Sequence, residues 1–197
     1  MSVAAFAALR HNEVWSVWKF AIPQLKSRSK KSMKAQRILL ASDTHGKIGN
    51  LTHVIRTCGP FDAFIFCGDG EGLEHQLTGL FGAQCACYLV RGNNDYASDL
   101  PDELVVPLGK ERAFVVHGHR QGVSLTPYRA AELAADKGCR YCFYGHTHRP
   151  AKEIVDGVLC INPGSLSYPR QEDRRPSYTL IEVDEQGEPH FHMACVS

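Results

Sequence analysis

Short apolar runs alternate with polar segments along most of the chain, and each run ends at glycine or at turn residues. A short continuous apolar run with such bounds is typical of a strand buried on both faces of a sheet. The pattern predicts strands at 38–42, 62–67, 86–91, 104–108, 112–117 and 140–144. Segments with apolar residues on one face predict helices at 50–58, capped by Asn50, at 71–80, and from Thr126-Pro127 to about residue 137.

After His148 the pattern contains only strands and turns. Residues 151–155 and 158–161 predict a hairpin with a turn at Asp156-Gly157, and 178–183 and 190–196 predict another. Strand–helix units followed by antiparallel hairpins predict an α/β (α+β) fold, in which two facing mixed β-sheets are flanked by helices. The length of 197 residues suits one domain, which we place at 37–197.

Residues 1–36 differ from the rest because they contain seven basic residues and one acid, Glu13. A targeting or membrane-surface segment has this composition. We expect instead a basic N-terminal extension that is poorly packed, or sequence upstream of a true start at Met33. Residues 37–197 keep 15 basic and 20 acidic residues, and this acidic balance argues against stable nucleic-acid binding.

No run of 18 apolar residues is present, so no transmembrane helix is expected. The eight cysteines show no paired spacing of a zinc ribbon, and Cys67, Cys142 and Cys160 lie in apolar runs. They are interpreted as buried free thiols, which fit a cytoplasmic location.

Residue types that bind metals stand at the ends of five predicted strands. Strand ends in such sheets are where sites form. Asp-x-His and His-x-His place two side chains on one side of the chain, where they can chelate one ion. Two carboxylates, one amide and four imidazoles suit two transition metal ions better than Ca²⁺. The candidate ligands are Asp43, His45, Asp69, Asn93, His117, His146 and His148.

The ordered set D-x-H, G-D, G-N-x-D, H-G-H and G-H-x-H resembles the calcineurin-like metallophosphoesterases. The late Asn162 to Ser165 segment resembles their small bacterial and archaeal phosphodiesterase branch. The resemblance implies a four-layer α/β/β/α sandwich and two divalent transition metal ions, manganese first, with iron, zinc, nickel or cobalt as alternatives. One ion would take Asp43, His45, Asp69 and His148; the other would share Asp69 and take Asn93, His117 and His146. His119 would support the site or face solvent.

The resemblance also implies hydrolysis of a small phosphate ester by in-line attack of a hydroxide that bridges the two ions. Asn93 and Asn94 are the catalytic candidates. Many members have a histidine where this chain has Asn94, and an amide cannot act as a general acid at neutral pH. This favours a phosphodiesterase. Asp95, with no histidine to orient, would cap the following turn.

Two other functions stay open. A retromer subunit is similar in fold and is thought to serve as a scaffold, so a non-catalytic protein-binding module that keeps the metal site is the alternative. A nuclease would need a basic track beside the ions, and the arginines near the motifs are scattered. The sequence does not name the substrate, the native metal or the oligomeric state.

Overall fold

The computed structural model describes residues 33–197, so the expectation for most of the N-terminal extension falls outside the described residues. This part contains ten strands and three α-helices. The strands are β1 (Gln36–Ala41), β2 (Ala63–Phe66), β3 (Ala86–Leu89), β4 (Glu103–Leu108), β5 (Glu111–Val116), β6 (Tyr141–Phe143), β7 (Ala151–Val155), β8 (Val158–Asn162), β9 (Ser177–Val183) and β10 (Pro189–Cys195). The helices are α1 (Gly49–Cys58), α2 (Leu77–Phe81) and α3 (Tyr128–Asp136).

The strands form two five-stranded sheets. The first has the order β10-β9-β1-β2-β3, and the second has the order β4-β5-β6-β8-β7. In the first sheet β1, β2 and β3 are parallel, while β9 and β10 add an antiparallel edge. In the second, β5, β6 and β8 are parallel and the outer strands are antiparallel. Both sheets are therefore mixed, as predicted.

Three apolar layers hold the two sheets and the helices together. Alternate residues of β1 point to opposite sides: Ile38 and Leu40 pack between the sheets, whereas Leu39 packs outward with residues of α1. Phe143 belongs to the central layer. On the outer face of the second sheet, small residues of α3 such as Ala130 pack closely against the strands. This four-layer arrangement confirms the predicted fold class.

The predicted helix 71–80 is wrong, because the structure divides it into a 3-10 turn (Leu73–His75) and the short helix α2. The backbone of Glu71 has φ 49° and that of Gly72 has φ 93°, so a right-handed helix cannot begin there. The predicted cap of α1 is also wrong. Asn50 lies inside the helix, where its amide donates to the carbonyl of Leu166 at 2.7 Å.

The last residues of the predicted extension contact the domain. The N–H of Met33 donates to the Glu185 carbonyl at 2.9 Å, and Lys34 pairs with Asp62 at 2.8 Å. All eight cysteines are free thiols, and the predicted burial of Cys67 is confirmed together with that of Cys142 and Cys160. Within residues 33–197, no helix has the length and apolar character needed to cross a membrane.

Candidate metal centre

The seven predicted ligands follow strand ends in both sheets. Asp43, His45 and Asp69 follow β1 and β2, and Asn93 follows β3. The three remaining histidines, His117, His146 and His148, follow β5 and β6 of the second sheet. Parallel strands end at one edge, so the loops meet there. The structure brings one candidate ligand atom from each of four residues within 4.8 Å of one another: Asp43, His45, Asp69 and His148.

The backbone at this edge is left-handed at five of the candidate ligands. The φ angles are 56° at Asp43, 47° at His45, 57° at Asp69, 67° at His146 and 58° at His148. Each such conformation costs a non-glycine residue roughly 1–2 kcal/mol. Strain of this kind gathers at functional sites, where the surrounding fold supports it. The ligand positions are therefore imposed by the fold.

Three imidazoles of the centre are oriented by hydrogen bonds from Nδ1. His117 donates to the Cys67 carbonyl at 2.7 Å, and His148 donates to the Tyr168 carbonyl at 2.8 Å. The third is His45, whose Nδ1 lies 2.8 Å from a Glu71 carboxylate oxygen. A neutral imidazole that donates through Nδ1 presents a lone pair at Nε2. These partners are also the arrangement that fixes metal-binding histidines in proteins.

The group of Asp43, His45, Asp69 and His148 is called the first set of candidate ligands. In this set, the Nε2 atoms of the two histidines lie close to each other and to a carboxylate. Those of His45 and His148 are 3.2 Å apart, and His148 Nε2 is 3.2 Å from Asp43 Oδ1. Asp43 is fully buried, and its Oδ1 has no hydrogen-bond donor among the described residues. A buried acceptor without a donor carries a cost of about 1–3 kcal/mol. A divalent cation would satisfy all three atoms, so this group fits a metal ion.

A second set of acceptors meets at Asn93. Its Oδ1 lies 3.0 Å from His117 Nε2 and 2.9 Å from His146 Nδ1. His117 Nε2 is also 3.4 Å from Asp69 Oδ2, and that carboxylate oxygen is 3.8 Å from His45 Nε2. Asp69 therefore lies between the two sets. The mixture of amide, imidazole and carboxylate ligands is suited to a divalent transition metal.

Ionic interactions shift the pKa values of the central pair. Burial raises the pKa of Asp69, but the hydrogen bond and charge of His117 and the N–H groups of Asn94 outweigh it and lower the pKa well below its usual range. Burial lowers the pKa of His117, whereas its hydrogen bond to Asp69 and the charge of Asp43 raise it, and the net shift is upward. Both carboxylates thus favour a positive charge in this pocket.

His119 borders the second set. Its ring centre is 5.4 Å from that of His117 and 6.1 Å from that of His146. Burial, followed by the positive charges of His117 and Arg120, lowers the pKa of His119. The His119 Nδ1 atom is buried without a hydrogen-bond partner in the described part of the chain.

The side chains of Asn94 and Asp95 form hydrogen bonds with other loop residues of the centre. The backbone N–H of Asn94 donates to Asp69 Oδ1 at 2.8 Å, and its side-chain amide donates to Asp69 Oδ2 at 2.6 Å. The buried Asp95 carboxylate accepts the backbone N–H groups of Asp69 at 2.8 Å, Glu71 at 2.7 Å and Gly92 at 2.8 Å. Asp95 therefore fixes the Asp69 loop to the Asn93 loop, which is more than the predicted turn cap.

Glycine is required where these two loops touch. A Cβ atom on Gly92 would lie 2.0 Å from Asp69 Oδ1 and 2.4 Å from the Asp69 nitrogen. A shift of Asp69 Oδ1 would break its hydrogen bond with the Asn94 N–H, and a shift of the Asp69 nitrogen would break its hydrogen bond with Asp95. The glycine before Asn93 therefore permits the close approach that places Asp69 between the two sets of ligands.

Sequence reasoning missed the groups that orient the ligands. Glu71 could have been noted as an acid two residues after the candidate ligand Asp69. The carbonyls of Cys67 and Tyr168 could not be found, because every residue has a backbone carbonyl and the sequence does not indicate which of them accepts a hydrogen bond.

Comparison with proteins of known sequence gives a consistent result. The model of the calcineurin-like phosphoesterase superfamily domain matches residues 37–186. A probable metallophosphoesterase from Bacillus subtilis is 37% identical over 152 residues, which cover 75% of this chain and 84% of the relative. A phosphodiesterase from Methanocaldococcus jannaschii is 28% identical over 144 residues, which cover 65% of this chain and 82% of that protein.

Solved structures show the same architecture. A predicted phosphoesterase from Streptococcus pneumoniae matches with a TM-score of 0.67 and 27% identity, over 83% of this chain and all of the other. Vacuolar Protein Sorting 29 from Cryptosporidium parvum matches with a TM-score of 0.62 and 20% identity, over 81% of this chain and 97% of the other, which shows a common fold. The family model and the relatives establish that this chain belongs to the calcineurin-like phosphoesterase superfamily.

Proposed function

We propose that this protein is a metal-dependent phosphodiesterase that hydrolyses small phosphodiesters at the carboxyl edge of its two sheets. The observation that carries the proposal is the convergence of acceptor atoms. The Nε2 atoms of His45 and His148 lie 3.2 Å apart, beside an Asp43 Oδ1 atom that has no hydrogen-bond donor within residues 33–197. A divalent cation bound there would satisfy all three atoms at once, which supports the proposal.

Asp43, His45, Asp69 and His148 would hold one ion, and Asp69, Asn93, His117 and His146 would hold the other. Two divalent ions bound there would act as Lewis acids on the phosphoryl oxygens and lower the pKa of water. Manganese is our first choice, with iron, zinc, nickel and cobalt as alternatives, because the ligand set does not select one of them.

The residues of the chain position this chemistry. Asn94 donates to both oxygens of Asp69, so that this carboxylate keeps one orientation between the two sets. Glu71 and the Tyr168 carbonyl hold the rings of His45 and His148. Ordered ligands reduce the reorganisation that the reaction would otherwise require.

Asn94 is also the basis for proposing a diester as substrate. Its amide is engaged by Asp69 and carries no proton that it can transfer at neutral pH. A leaving group that needs protonation, such as an alkoxide from a monoester, gains nothing from it. We therefore expect phosphodiesters, and esters with good leaving groups, to react faster than alkyl monoesters.

The test compares two esters with the same leaving group, bis(4-nitrophenyl) phosphate and 4-nitrophenyl phosphate. Metal-free protein is reconstituted with Mn²⁺, Fe²⁺, Zn²⁺, Ni²⁺ or Co²⁺, and 4-nitrophenolate release is measured. We expect metal-dependent release with the higher kcat/KM for the diester, and loss of release in Asp69→Asn. Asp99→Asn is the matched control, because Asp99 is exposed and lies outside the centre. A higher kcat/KM for the monoester would contradict the diesterase proposal.

A second variant pair tests the role of Asn94. Asn94→His restores an imidazole, and Asn94→Ala removes the amide without adding one. The ratio of activity on an alkyl monoester, measured as released phosphate, to activity on bis(4-nitrophenyl) phosphate should rise in Asn94→His relative to Asn94→Ala, because only the alkoxide leaving group needs a proton. A general loss at the site cancels in this ratio. An equal ratio in the two variants would refute the argument.

A scaffold that binds protein partners is the second candidate function. The fold likeness to Vacuolar Protein Sorting 29 favours it, although likeness at 20% identity concerns the fold alone. Metal analysis together with a diester turnover assay separates the two candidate functions. Bound metal without turnover of any diester would support the scaffold. The free thiols agree with a reducing cytoplasm, which we propose as the location.

A further inference from the structure

A pocket of about 340 Å³ opens directly beside the first set of ligands. Its lining residues are His45, His148, Tyr168, Pro169, Arg170 and Arg174. Two of these are predicted metal ligands, so a molecule bound at the centre would extend into this pocket. Two arginines and no carboxylate line it, which gives it a positive character.

The wall of the pocket is firmly built. The Ser165 hydroxyl donates to the Asp43 carbonyl at 2.8 Å and accepts the N–H of Tyr168 at 2.8 Å. The N–H of Arg170 donates to the His148 carbonyl at 3.0 Å, and the Tyr168 carbonyl accepts from the same imidazole. The loop that carries the arginines is therefore tied at several points to the residues that would hold the metal.

The charges of the two arginines are not neutralised within the described residues. Arg91 and Arg120 both pair with Asp102, whereas no carboxylate of residues 33–197 forms an ion pair with Arg170 or Arg174. Arg174 has a left-handed backbone with φ 53°, a conformation that costs a non-glycine residue roughly 1–2 kcal/mol.

The charged residues around the arginine pocket add to its positive character. The Lys47 ammonium lies 4.3 Å from the centre of the Tyr168 ring. The acids of the same loop, Glu172 and Asp173, are exposed and do not line the pocket, and Asp173 accepts the N–H of Arg175. Another pocket, of about 320 Å³, is lined by Asn94 together with three acidic residues, Glu71, Glu74 and Asp95.

We propose that the arginine pocket binds a second anionic group of the substrate, a phosphate monoester carried beyond the scissile diester. Guanidinium groups form paired hydrogen bonds with phosphate, which explains the choice of arginine. The other pocket has no arginine or lysine in its lining, so it offers that phosphate no such contact, and the substrate would bind in one orientation. This inference rests on the proposed function and specifies the class of diester.

The test uses a matched pair of substrates with one leaving group. These are the 4-nitrophenyl ester of thymidine 5'-phosphate and the same ester with an additional 3'-phosphate. The 3'-phosphate should lower KM about tenfold, which is the effect of one well-formed charged contact at a partly exposed site. The advantage should disappear in the double variant Arg170→Gln/Arg174→Gln and persist in Arg56→Gln, an exposed arginine on α1. Equal KM values in the wild type would overturn the inference and leave the proposed function intact.

Binding to the metal-free protein gives a readout that does not depend on turnover. Calorimetry should show that thymidine 3',5'-bisphosphate binds about tenfold more tightly than thymidine 5'-phosphate, and that the double variant binds both alike. An arginine-dependent difference without diester turnover would support the pocket while the proposed function fails. Equal binding of the two nucleotides by the wild type would refute the pocket.

Discussion

Asp95 offers a sharp test of how the centre is held together. Its carboxylate receives three backbone N–H groups, from Asp69, Glu71 and Gly92, at 2.7–2.8 Å. Replacing it with asparagine keeps the size of the side chain and removes the charge. The amide oxygen can take the place of Oδ2 and keep the bonds to Asp69 and Gly92. The NH₂ group then faces the N–H of Glu71, so that bond becomes a repulsion between two donors.

The expected cost follows from the three bonds. A hydrogen bond to a charged group contributes about 1.5–3 kcal/mol, and one such bond is lost while two are weakened. Asp95→Asn should therefore lower the free energy of unfolding by about 2–3 kcal/mol. Asp95→Ala loses all three acceptors and should cost at least about 4.5 kcal/mol, which is exceptionally large for a single substitution.

Urea unfolding in the presence of a chelator measures this cost without a contribution from metal. Asp99→Asn is the matched control, since this exposed acid lies four residues downstream. Metal affinity, measured separately, should fall in Asp95→Asn because both the Asp69 loop and the Asn93 loop lose their common anchor. If Asp95→Asn unfolds within about 0.5 kcal/mol of the control, the surface-substitution range, and binds metal like the wild type, the anchoring role is refuted.

Three further predictions concern Gly92, Asp62 and the binding of Mn²⁺. Gly92→Ala should abolish metal binding, because its Cβ would lie 2.0 Å from Asp69 Oδ1; metal analysis of the purified variant that shows normal content would disprove this. The Lys34 ammonium and the Arg37 N–H lower the pKa of Asp62, so its stabilisation exists above the unfolded value of about 3.9 and is lost as pH falls through the lower folded value. Asp62→Asn should thus lower the unfolding free energy by about 1 kcal/mol at pH 7 and by less near pH 3, and a difference independent of pH would count against this ion pair. Finally, Mn²⁺ should raise the free energy of unfolding by about 2.7 kcal/mol per ion at one hundred times its Kd, and Tm should rise with Mn²⁺ concentration. A constant Tm would argue against binding to the folded state.

Much of the fold could be predicted from the sequence because the apolar runs are short and end at clear turn residues. The strand before Asp43 and the one before His117 lie within two residues of their predicted positions. The prediction failed at 71–80, where a tertiary hydrogen bond from Glu71 to Asp95 overrides the local helical pattern. Local periodicity cannot report a constraint that comes from a residue 24 positions away.

Predictions for the site were uneven for a similar reason. The ligand candidates share a residue type and a position at strand ends, so they could be selected from the sequence. The partners of Asn94 and Asp95 could not, since their hydrogen bonds join separate loops at distances that only the packed sheets define. The importance of Gly92 is likewise visible only beside Asp69.

The candidate ligands come from both sheets, and this division sets an order of events during synthesis. Asp43, His45, Asp69 and Asn93 precede the second sheet in the chain, whereas His148 comes 105 residues after Asp43. A nascent chain that has emerged only as far as β3 contains Asp43, His45 and Asp69 but none of the later candidate ligands. The complete set of ligands exists only after β6 and its loop have left the ribosome and the sheets have docked. A metal ion that needs the complete set of candidate ligands would therefore bind only after this region has been translated.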